Sequence, residues 1–558
     1  MSVRPLRPAV RPRAVAVVAG VVTVLGASLL SAPSAVAAVP PLRESGSTVV
    51  TGDALPTAQI DGVAWAQAIR GDTVYVGGDF TTARPAGAAP GQHTVPRGNL
   101  MAYSLSTGVM RDFAPKANQQ VNAVAVSPDG TRLYVGGQFT TITQTYGGKT
   151  STFDRYRIAA FDTATGRIVA NFAPTVNYVV KSIVATDTTV YLGGQFATVN
   201  KVTRNRAAAV KASDGTVLPW NPNVDNQVGA MVLTPDKSKV IIGGSFQKVG
   251  GAAAYGLAAV STSTGALQPW QANQVVRNAG KNAGITSLTT DGSAIYGSGY
   301  VFGAGGNLEG AFSANPSTGA INWIEDCHGD TYGVWASATA VYTVGHAHYC
   351  GNIGGFPQQA SFWQHAVAFT PAATGTVAHD PFNGSYHDWF GQPAPSLVTW
   401  YPQLTPGSYT GDTQAAWTVT GTSKYVVLGG EFPSVNGRAQ QGLVRFAVPS
   451  VAPDALGPQV EAGKFVPTLA SPSPGVVTVS WASNWDRDDL ALTYTVYRDG
   501  TSGGPIATVS GKSTFWLQPT LTITDRKLTS GSTHGYRVFA TDPDGNVVRG
   551  NTAEITVS

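Results

Sequence analysis

The chain has 558 residues, with 36 Lys and Arg, 32 Asp and Glu, and a formal net charge of +4. Four of the positive charges are arginines in the first 38 residues, which contain no Lys, Asp or Glu, so the rest of the chain is neutral. A neutral protein lacks the positive surface of a nucleic-acid binder. Charged residues make up 12% and hydrophobic residues 43%, with 65 Gly and 35 Pro. This composition excludes an intrinsically disordered chain and favours a turn-rich, all-β, extracellular protein.

Residues 1–38 have the pattern of a secretory signal peptide. The arginines precede an apolar run at residues 14–30, and small residues follow, so that cleavage is expected after Ala37 or Ala38. The alternative is a retained membrane anchor, which the shortness of the run disfavours. We therefore expect a secreted protein with no membrane span once the signal is removed.

One pattern recurs along residues 45–450: an apolar strand ending in Gly-Gly, a polar residue and Phe. The clear copies and two degenerate ones lie at residues 74–80, 133–139, 190–196, 240–246, 295–299, 341–346 and 426–432. Each copy has a strand before it, and a third strand and a segment ending in an aromatic residue after it. Four short strands in a repeat of about fifty residues are typical of a propeller blade. The pattern predicts a seven-bladed β-propeller, closed by the segment at residues 48–60, and disfavours a stack of independent sandwiches.

Several of these segments resemble a family of secreted bacterial β-propellers. The resemblance rests on the Val-Gly-Gly-x-Phe strand ends, the Phe-Ala-Pro and Trp-Asn-Pro segments, and the sequences at residues 326–330 and 345–357. That family has no established biochemical activity. The resemblance therefore implies a fold and secretion rather than a reaction.

The composition changes after the last repeat. Six prolines lie between residues 449 and 474, which indicates a linker at 451–465. Residues 466–558 resemble a fibronectin type III domain, a β-sandwich, with Trp481 expected to be buried. His534 stands where a tyrosine is expected in such domains. The predicted fold class is all-β, a propeller followed by a β-sandwich.

Six of the eight histidines lie between residues 328 and 387, in blade six and its insertion. In a four-stranded blade, the loop before the first strand and the end of the second strand lie on the same face. This topology brings together two groups of residues: Asp326, Cys327, His328 and Asp330, and His346, His348 and Cys350. It predicts a disulfide between Cys327 and Cys350, which an exported protein can form.

The same convergence raises the possibility of a metal site. His346 and His348 alternate along a strand and so share a face. With His328 and Asp326 they could hold a divalent ion through nitrogen and oxygen ligands. No motif of fixed spacing supports this set. The favoured interpretation is a hydrogen-bonded polar rim around a disulfide, with no cofactor, and the metal site is the alternative.

Blade six also carries an insertion at about residues 376–396. It contains Tyr386, His387, Asp388 and Trp389, which together could stack on and hydrogen-bond to a sugar. The alternative is that the aromatic residues anchor the insertion to the blade.

The main hypothesis is an exported, monomeric, non-catalytic binding or scaffold protein. It would engage extracellular polysaccharide or cell-envelope glycan through the propeller rim at blade six. One alternative is a hydrolase or lyase acting on polysaccharide, and the concentrated carboxylates available to it are Glu325, Asp326, Asp330, Asp380 and Asp388. The sequence selects no catalytic pair among them. Another alternative is a structural surface protein that binds a protein partner.

Overall fold

The computed structural model describes residues 38–360, 363–382 and 384–558. The predicted signal peptide lies outside the described residues except for Ala38. The described chain is built from β-strands, with a short helix at Ala272–Val275 and a 3₁₀ turn at Gly351–Ile353. No helix in these ranges is long and apolar enough to span a bilayer.

Within the described residues, seven antiparallel sheets form the propeller blades. Blade one has the strands Val63–Arg70, Thr73–Asp79 and Leu100–Ser104. Blade two has Val121–Val126, Arg132–Gly137 and Ile158–Asp162. Blade three has Val180–Ala185, Thr189–Gly194 and Ala207–Lys211. Blade four has the strands Val228–Leu233, Lys239–Gly244, Leu257–Ser261 and Leu267–Gln268. Blade five has Ala283–Thr290, Ile295–Val301, Gly310–Ala314 and Ile321–Glu325. Blade six has the strands Thr331–Ala336, Val341–Ala347, Gln364–Thr376 and Pro393–Val398. Blade seven has Ala416–Gly421, Tyr425–Gly430 and Leu443–Ala447.

In several blades the connection between the second and third strands forms a small antiparallel hairpin, and in two of them a further short strand pairs with the hairpin. Their strands are Gln59–Ile60, Thr82–Arg84, Val95–Pro96, Lys116–Ala117, Thr141–Tyr146, Lys149–Asp154, Thr198–Val199, Val202–Thr203, Lys248–Val249, Ala252–Ala253, Ser434–Val435 and Arg438–Ala439.

The first strands of successive blades lie side by side and form a closed ring, in which the first strand of blade seven contacts that of blade one. The amino-terminal segment closes the ring as predicted. Thr51 N donates to Ala447 O and Leu55 N donates to Arg445 O, both at 2.9 Å. This segment therefore lies along the outer edge of blade seven, beside the strand Leu443–Ala447.

The Gly-Gly pairs are needed because the backbone is crowded on both sides. A Cβ atom at Gly136 would overlap Val180 of the next blade, and one at Gly137 would overlap the carbonyl oxygen of Gln120. The Phe that follows, Phe139, is fully buried between blades. The recurring motif thus meets the packing needs of a blade interface.

The tryptophan that ends four of the repeats links one blade to the next through a hydrogen bond. Trp220 Nε1 donates to Ser261 O at 2.7 Å, and Trp323 Nε1 donates to Pro371 O at 2.8 Å. Trp400 Nε1 makes the same kind of bond to the closing segment, at Thr51 O.

The carboxy-terminal region consists of two antiparallel sheets around one core. One sheet contains Thr468–Ser473, Val476–Ala482 and Thr520–Arg526, and the other contains Ala491–Arg498, Ala507–Lys512, Thr533–Thr541, Val547–Arg549 and Ala553–Thr556. Trp481 is buried in this core, as predicted, beside Tyr494. Phe515 and Trp516 pack on Tyr401 of the propeller, so the sandwich is seated against blade six.

Candidate functional site

The rim of blade six is held together by the predicted disulfide. Cys327, in the loop before the first strand, is bonded to Cys350, which follows the second strand. Both residues are buried. The bond fixes the two segments that carry most of the candidate site residues.

Beside the disulfide lies a buried group of three side chains, Asp326, His328 and Asp380, which we call the rim trio. His328 Nε2 lies 3.0 Å from Asp380 Oδ2 and 3.6 Å from Asp326 Oδ2. Neither contact has hydrogen-bond geometry, and both ring nitrogens lack a hydrogen-bond partner among the described residues. Asn352 Nδ2 donates to Asp326 Oδ2 at 2.7 Å, and the ring of Tyr386 stacks on that of His328 at 3.8 Å.

One ligand atom from each member of the trio lies within 4.8 Å of the others. An imidazole and two carboxylates form a set that Zn²⁺ accepts. The same atoms also form a buried ion pair if His328 carries a proton. Asp380 comes from the insertion and was not among the predicted ligands, because only the folded insertion brings it to the rim.

The structure does not bring His346 and His348 into this group. Their rings lie side by side, 6.4 Å apart, as strand alternation predicts. His346 Nδ1 lies 2.7 Å from Gln414 Nε2, and His348 Nδ1 lies 3.2 Å from Gln358 Oε1. Burial lowers the pKa of His346 to about 4. The predicted four-ligand set is thus divided, and only Asp326 and His328 of it are together.

The predicted sugar-binding residues of the insertion are also divided. Trp389 is 4% exposed and its Nε1 donates to Asn307 O at 3.0 Å. It therefore anchors the insertion and offers no face to a ligand, contrary to the expectation of an exposed platform. Tyr386 is half-buried against the rim trio, whereas His387 and Asp388 are exposed.

A feature that the sequence reading missed lies on the propeller axis. Within the described residues, the first strand of every blade contains a β-bulge near its start, and the extra residue of each bulge lines one end of the central channel. Around the ring these residues are Trp65, Asn122, Lys181, Gly229, Thr286, Tyr332 and Trp417. Bulges commonly re-aim side chains at functional sites. The channel end encloses about 380 Å³.

Blades six, seven and one place aromatic residues at this opening. The rings of Tyr332 and Trp417 are 4.4 Å apart, and those of Trp417 and Trp65 are 4.9 Å apart. His346 lies 6.4 Å from Tyr332 and 4.9 Å from Trp363. These five rings form a continuous line, which we call the aromatic path.

At its outer end the aromatic path meets a groove between the propeller and the sandwich. The groove has a volume of about 680 Å³ and is lined by Trp363, Tyr401, Trp485 and Phe515 together with amide and guanidinium groups. Trp363 is 41% exposed. The path and the groove together form an open, aromatic surface on one face of the propeller.

Two carboxyl groups beside this surface are protonated more readily than usual. Burial, and then the charge of Asp330, raise the pKa of Glu309 to about 7, and burial raises the pKa of Asp330 to about 6. Tyr332 Oη donates to Asp330 Oδ2 at 2.9 Å, and Gly329 N donates to Glu309 Oε2 at 3.2 Å. Glu309 lies in a blade-five loop that no sequence motif marks, so it was not predicted. Glu325, by contrast, is enclosed in the blade.

No protein-family model matches the chain, and no curated protein matches it. Solved structures that match include the crystal structure of the Myceliophteria thermophila Cps50 (Swd1) β-propeller domain. That likeness has a TM-score of 0.37 and 10% sequence identity, and it covers 71% of this chain and 99% of the other.

Proposed function

We propose that this protein is an exported, non-catalytic binding or scaffold protein that engages extracellular polysaccharide or cell-envelope glycan on the propeller face at blade six. The observation that carries the proposal is the aromatic path and the groove in which it ends. Flat apolar ring faces bordered by hydrogen-bonding groups are the chemistry that sugar rings require.

Both spaces on this surface are large enough to hold a ligand. The groove of about 680 Å³ and the channel end of about 380 Å³ both fall in the size range of ligand sites. Gln364, Gln403 and Arg487 line the groove and can hydrogen-bond to hydroxyl groups. The proposed contact residues are therefore those of the aromatic path, and Tyr386, His387 and Asp388 of the insertion remain further candidates.

The test is retention of the purified protein on a panel of insoluble and immobilised polysaccharides. We expect Trp363→Ala and Trp417→Ala each to weaken retention about tenfold, because each removes a stacking face. Tyr178→Ala is the matched control, since Tyr178 is an exposed aromatic residue outside the aromatic path. If no polysaccharide is retained, or if the control variant loses retention equally, the proposal fails and a protein partner or a structural role replaces it.

A second candidate, a polysaccharide hydrolase, is favoured by one observation, the Glu309 and Asp330 pair. Near neutral pH a carboxyl group with a pKa of about 7 can donate a proton while one with a pKa of about 6 is mostly ionised. Glycoside hydrolysis needs one carboxyl group in each state. If the protein releases reducing ends, Glu309→Gln and Asp330→Asn should each abolish release while retention persists, and Asp388→Asn should leave release unchanged.

The remaining features of the proposal concern location and assembly. Residues 1–38 would direct export, residues 466–558 would form a fibronectin type III module, and the mature protein would be a monomer. The buried disulfide supports export, because such bonds persist mainly in oxidising compartments. Amino-terminal sequencing and light scattering of the protein from culture medium test these points.

A further inference from the structure

Five buried aspartates meet where the sandwich faces the propeller. Asp454 comes from the connection after blade seven, Asp486, Asp488 and Asp489 come from the loop between two sandwich strands, and Asp542 follows the strand Thr533–Thr541. We call these residues the junction cluster. Residues far apart in the sequence thus bring their carboxylates to one place.

The carboxylates are close and almost completely enclosed. They form two groups of three that share Asp489, one with Asp454 and Asp488 and the other with Asp486 and Asp542. In each group, one oxygen from each member lies within 4.8 Å of the others. The exposure of the five residues ranges from 0% for Asp486 to 8% for Asp454 and Asp489.

Four of these side chains each have an oxygen without a partner. Among the described residues, Asp454 Oδ2, Asp486 Oδ2, Asp488 Oδ1 and Asp489 Oδ2 are buried and accept no hydrogen bond. The other oxygen of two of these side chains accepts a backbone hydrogen bond. Gly52 N donates to Asp488 Oδ2 at 2.6 Å, and Leu456 N donates to Asp454 Oδ1 at 3.1 Å. Buried polar atoms normally have partners. Backbone amides thus orient Asp454, Asp486 and Asp488, and four of the five side chains leave one oxygen for another ligand.

One arginine charge cannot balance five carboxylates, although Arg487 does interact with Asp486 and Asp488. Arg487, although it lies between two of the aspartates in sequence, donates from Nη1 to Tyr401 O and from Nη2 to Gln403 Oε1, both at 3.1 Å. Its guanidinium group is therefore committed to the propeller. Several buried carboxylates without a cation repel one another, which a bound ion would relieve.

We infer that the junction cluster is a Ca²⁺ site that holds one or two ions, with Asp489 shared between them. The five residues offer oxygen ligands alone, which hard cations prefer, whereas Zn²⁺ and Cu²⁺ sites typically include histidine or cysteine. Mg²⁺ usually keeps several waters, and enclosed side chains leave little room for them.

Bound Ca²⁺ would fix the sandwich to the propeller, because both parts hold the cluster. Gly52, in the segment that closes the propeller ring, bonds to Asp488, and Glu44 Oε1 accepts a hydrogen bond from Leu490 N at 2.7 Å. An ion at this point ties the amino-terminal segment, the interdomain connection and two sandwich loops together. The inference does not rest on the proposed sugar binding, although the same loop carries Trp485 and Arg487, which line the groove.

The test uses the full purified protein after treatment with a chelator. Isothermal titration with Ca²⁺, Mg²⁺ and Zn²⁺ measures binding, and Tb³⁺ luminescence excited through Trp485 reports on an ion near the loop. We expect Ca²⁺ to bind more tightly than Mg²⁺ and to raise the melting temperature by several degrees. Asp489→Asn should abolish the Ca²⁺ response.

Two controls keep the inference falsifiable. Asp489→Asn removes a repelling charge, so it should melt no lower than the wild type when both are in chelator, which distinguishes lost binding from failed folding. Asp544→Asn changes an exposed aspartate near the cluster and should bind Ca²⁺ normally. Absence of Ca²⁺ binding by the wild type, retention of binding by Asp489→Asn, or its loss in Asp380→Asn of the rim trio would overturn the inference.

Discussion

The rim trio and the junction cluster are both buried and acidic, yet they differ in how their charge can be balanced. The rim trio includes an imidazole, that of His328, beside the carboxylates of Asp326 and Asp380. The junction cluster has five carboxylates and an arginine that is bonded elsewhere. An acidic cluster that includes an imidazole can be neutralised from within, whereas one built from carboxylates alone needs protons or a metal ion.

The two regions also differ in what else holds them together. The Cys327–Cys350 disulfide joins the segments beside the rim trio. At the junction the corresponding segments are joined by hydrogen bonds such as that from Gly52 to Asp488. A dissociable ion at the junction would make domain attachment responsive to its surroundings, and the covalent rim would remain fixed.

The largest effect we expect is from replacing the imidazole of the rim trio. His328→Leu leaves Asp326 and Asp380 buried together without an opposing charge. The free energy of unfolding should fall by about 3–5 kcal/mol, as for other buried pairs that lose one partner. Urea denaturation of both proteins measures the difference.

The control for this prediction is a second substitution in the same background. Asp380→Asn combined with His328→Leu removes one of the repelling charges and should recover part of the loss. A loss below about 1 kcal/mol, or no recovery in the double variant, would mean that His328 does not balance these carboxylates.

The next effect concerns pH, to which His346 and the junction cluster should respond in opposite directions. Burial lowers the pKa of His346 to about 4, so the unfolded chain binds this proton first and stability falls as the pH drops from about 6.5. Burial raises the pKa of Asp486 to about 7 and that of Asp489 to about 8. The folded state then holds these protons more tightly, so stability falls as the pH rises from about 4 to about 8.

Melting temperatures measured in chelator across this range test the comparison. His346→Gln should reduce the fall in melting temperature at acidic pH, and Asp489→Asn should reduce the fall at alkaline pH. Added Ca²⁺ should also reduce the fall at alkaline pH. Other charged groups that face the cluster also contribute, namely Glu44, Asp53, Asp542, Asp544, Arg487 and Lys512. An alkaline loss that persists in Asp489→Asn would assign the effect to those groups or to Glu309 and Asp330, whose pKa values burial also raises.

The smallest effect should come from an exposed pair of the same chemistry. His379 Nδ1 lies 2.8 Å from Asp388 Oδ2, with side chains 68% and 46% exposed. Exposed pairs contribute about 0–1 kcal/mol. His379→Ala should therefore change the free energy of unfolding by less than 1 kcal/mol, and a larger loss would mean that burial does not explain the difference from His328.

The propeller could be predicted because each blade is defined by contacts within about fifty residues, and the Gly-Gly-x-Phe motif marks each one. The disulfide followed from the same topology. The rim trio could not be predicted in full, because Asp380 lies next to His328 only once the insertion has folded onto the blade. Trp389 was expected on the surface since composition alone does not show which aromatic residues of an insertion point inward. The channel residues depend on bulges, which alternation of apolar residues does not reveal.

The bulges have a further consequence for how this molecule could change. A bulge residue is left out of the hydrogen-bonded ladder, so its side chain contributes little to the sheet that carries it. Seven such positions in the described chain, from Trp65 to Trp417, surround one opening. Replacing Lys181 or Asn122 by another residue would therefore change the side chains that line the opening, while the strands of each blade keep their hydrogen-bonded pairing. Lys181 and Asn122 thus offer positions for engineering a new recognition surface on an unchanged scaffold.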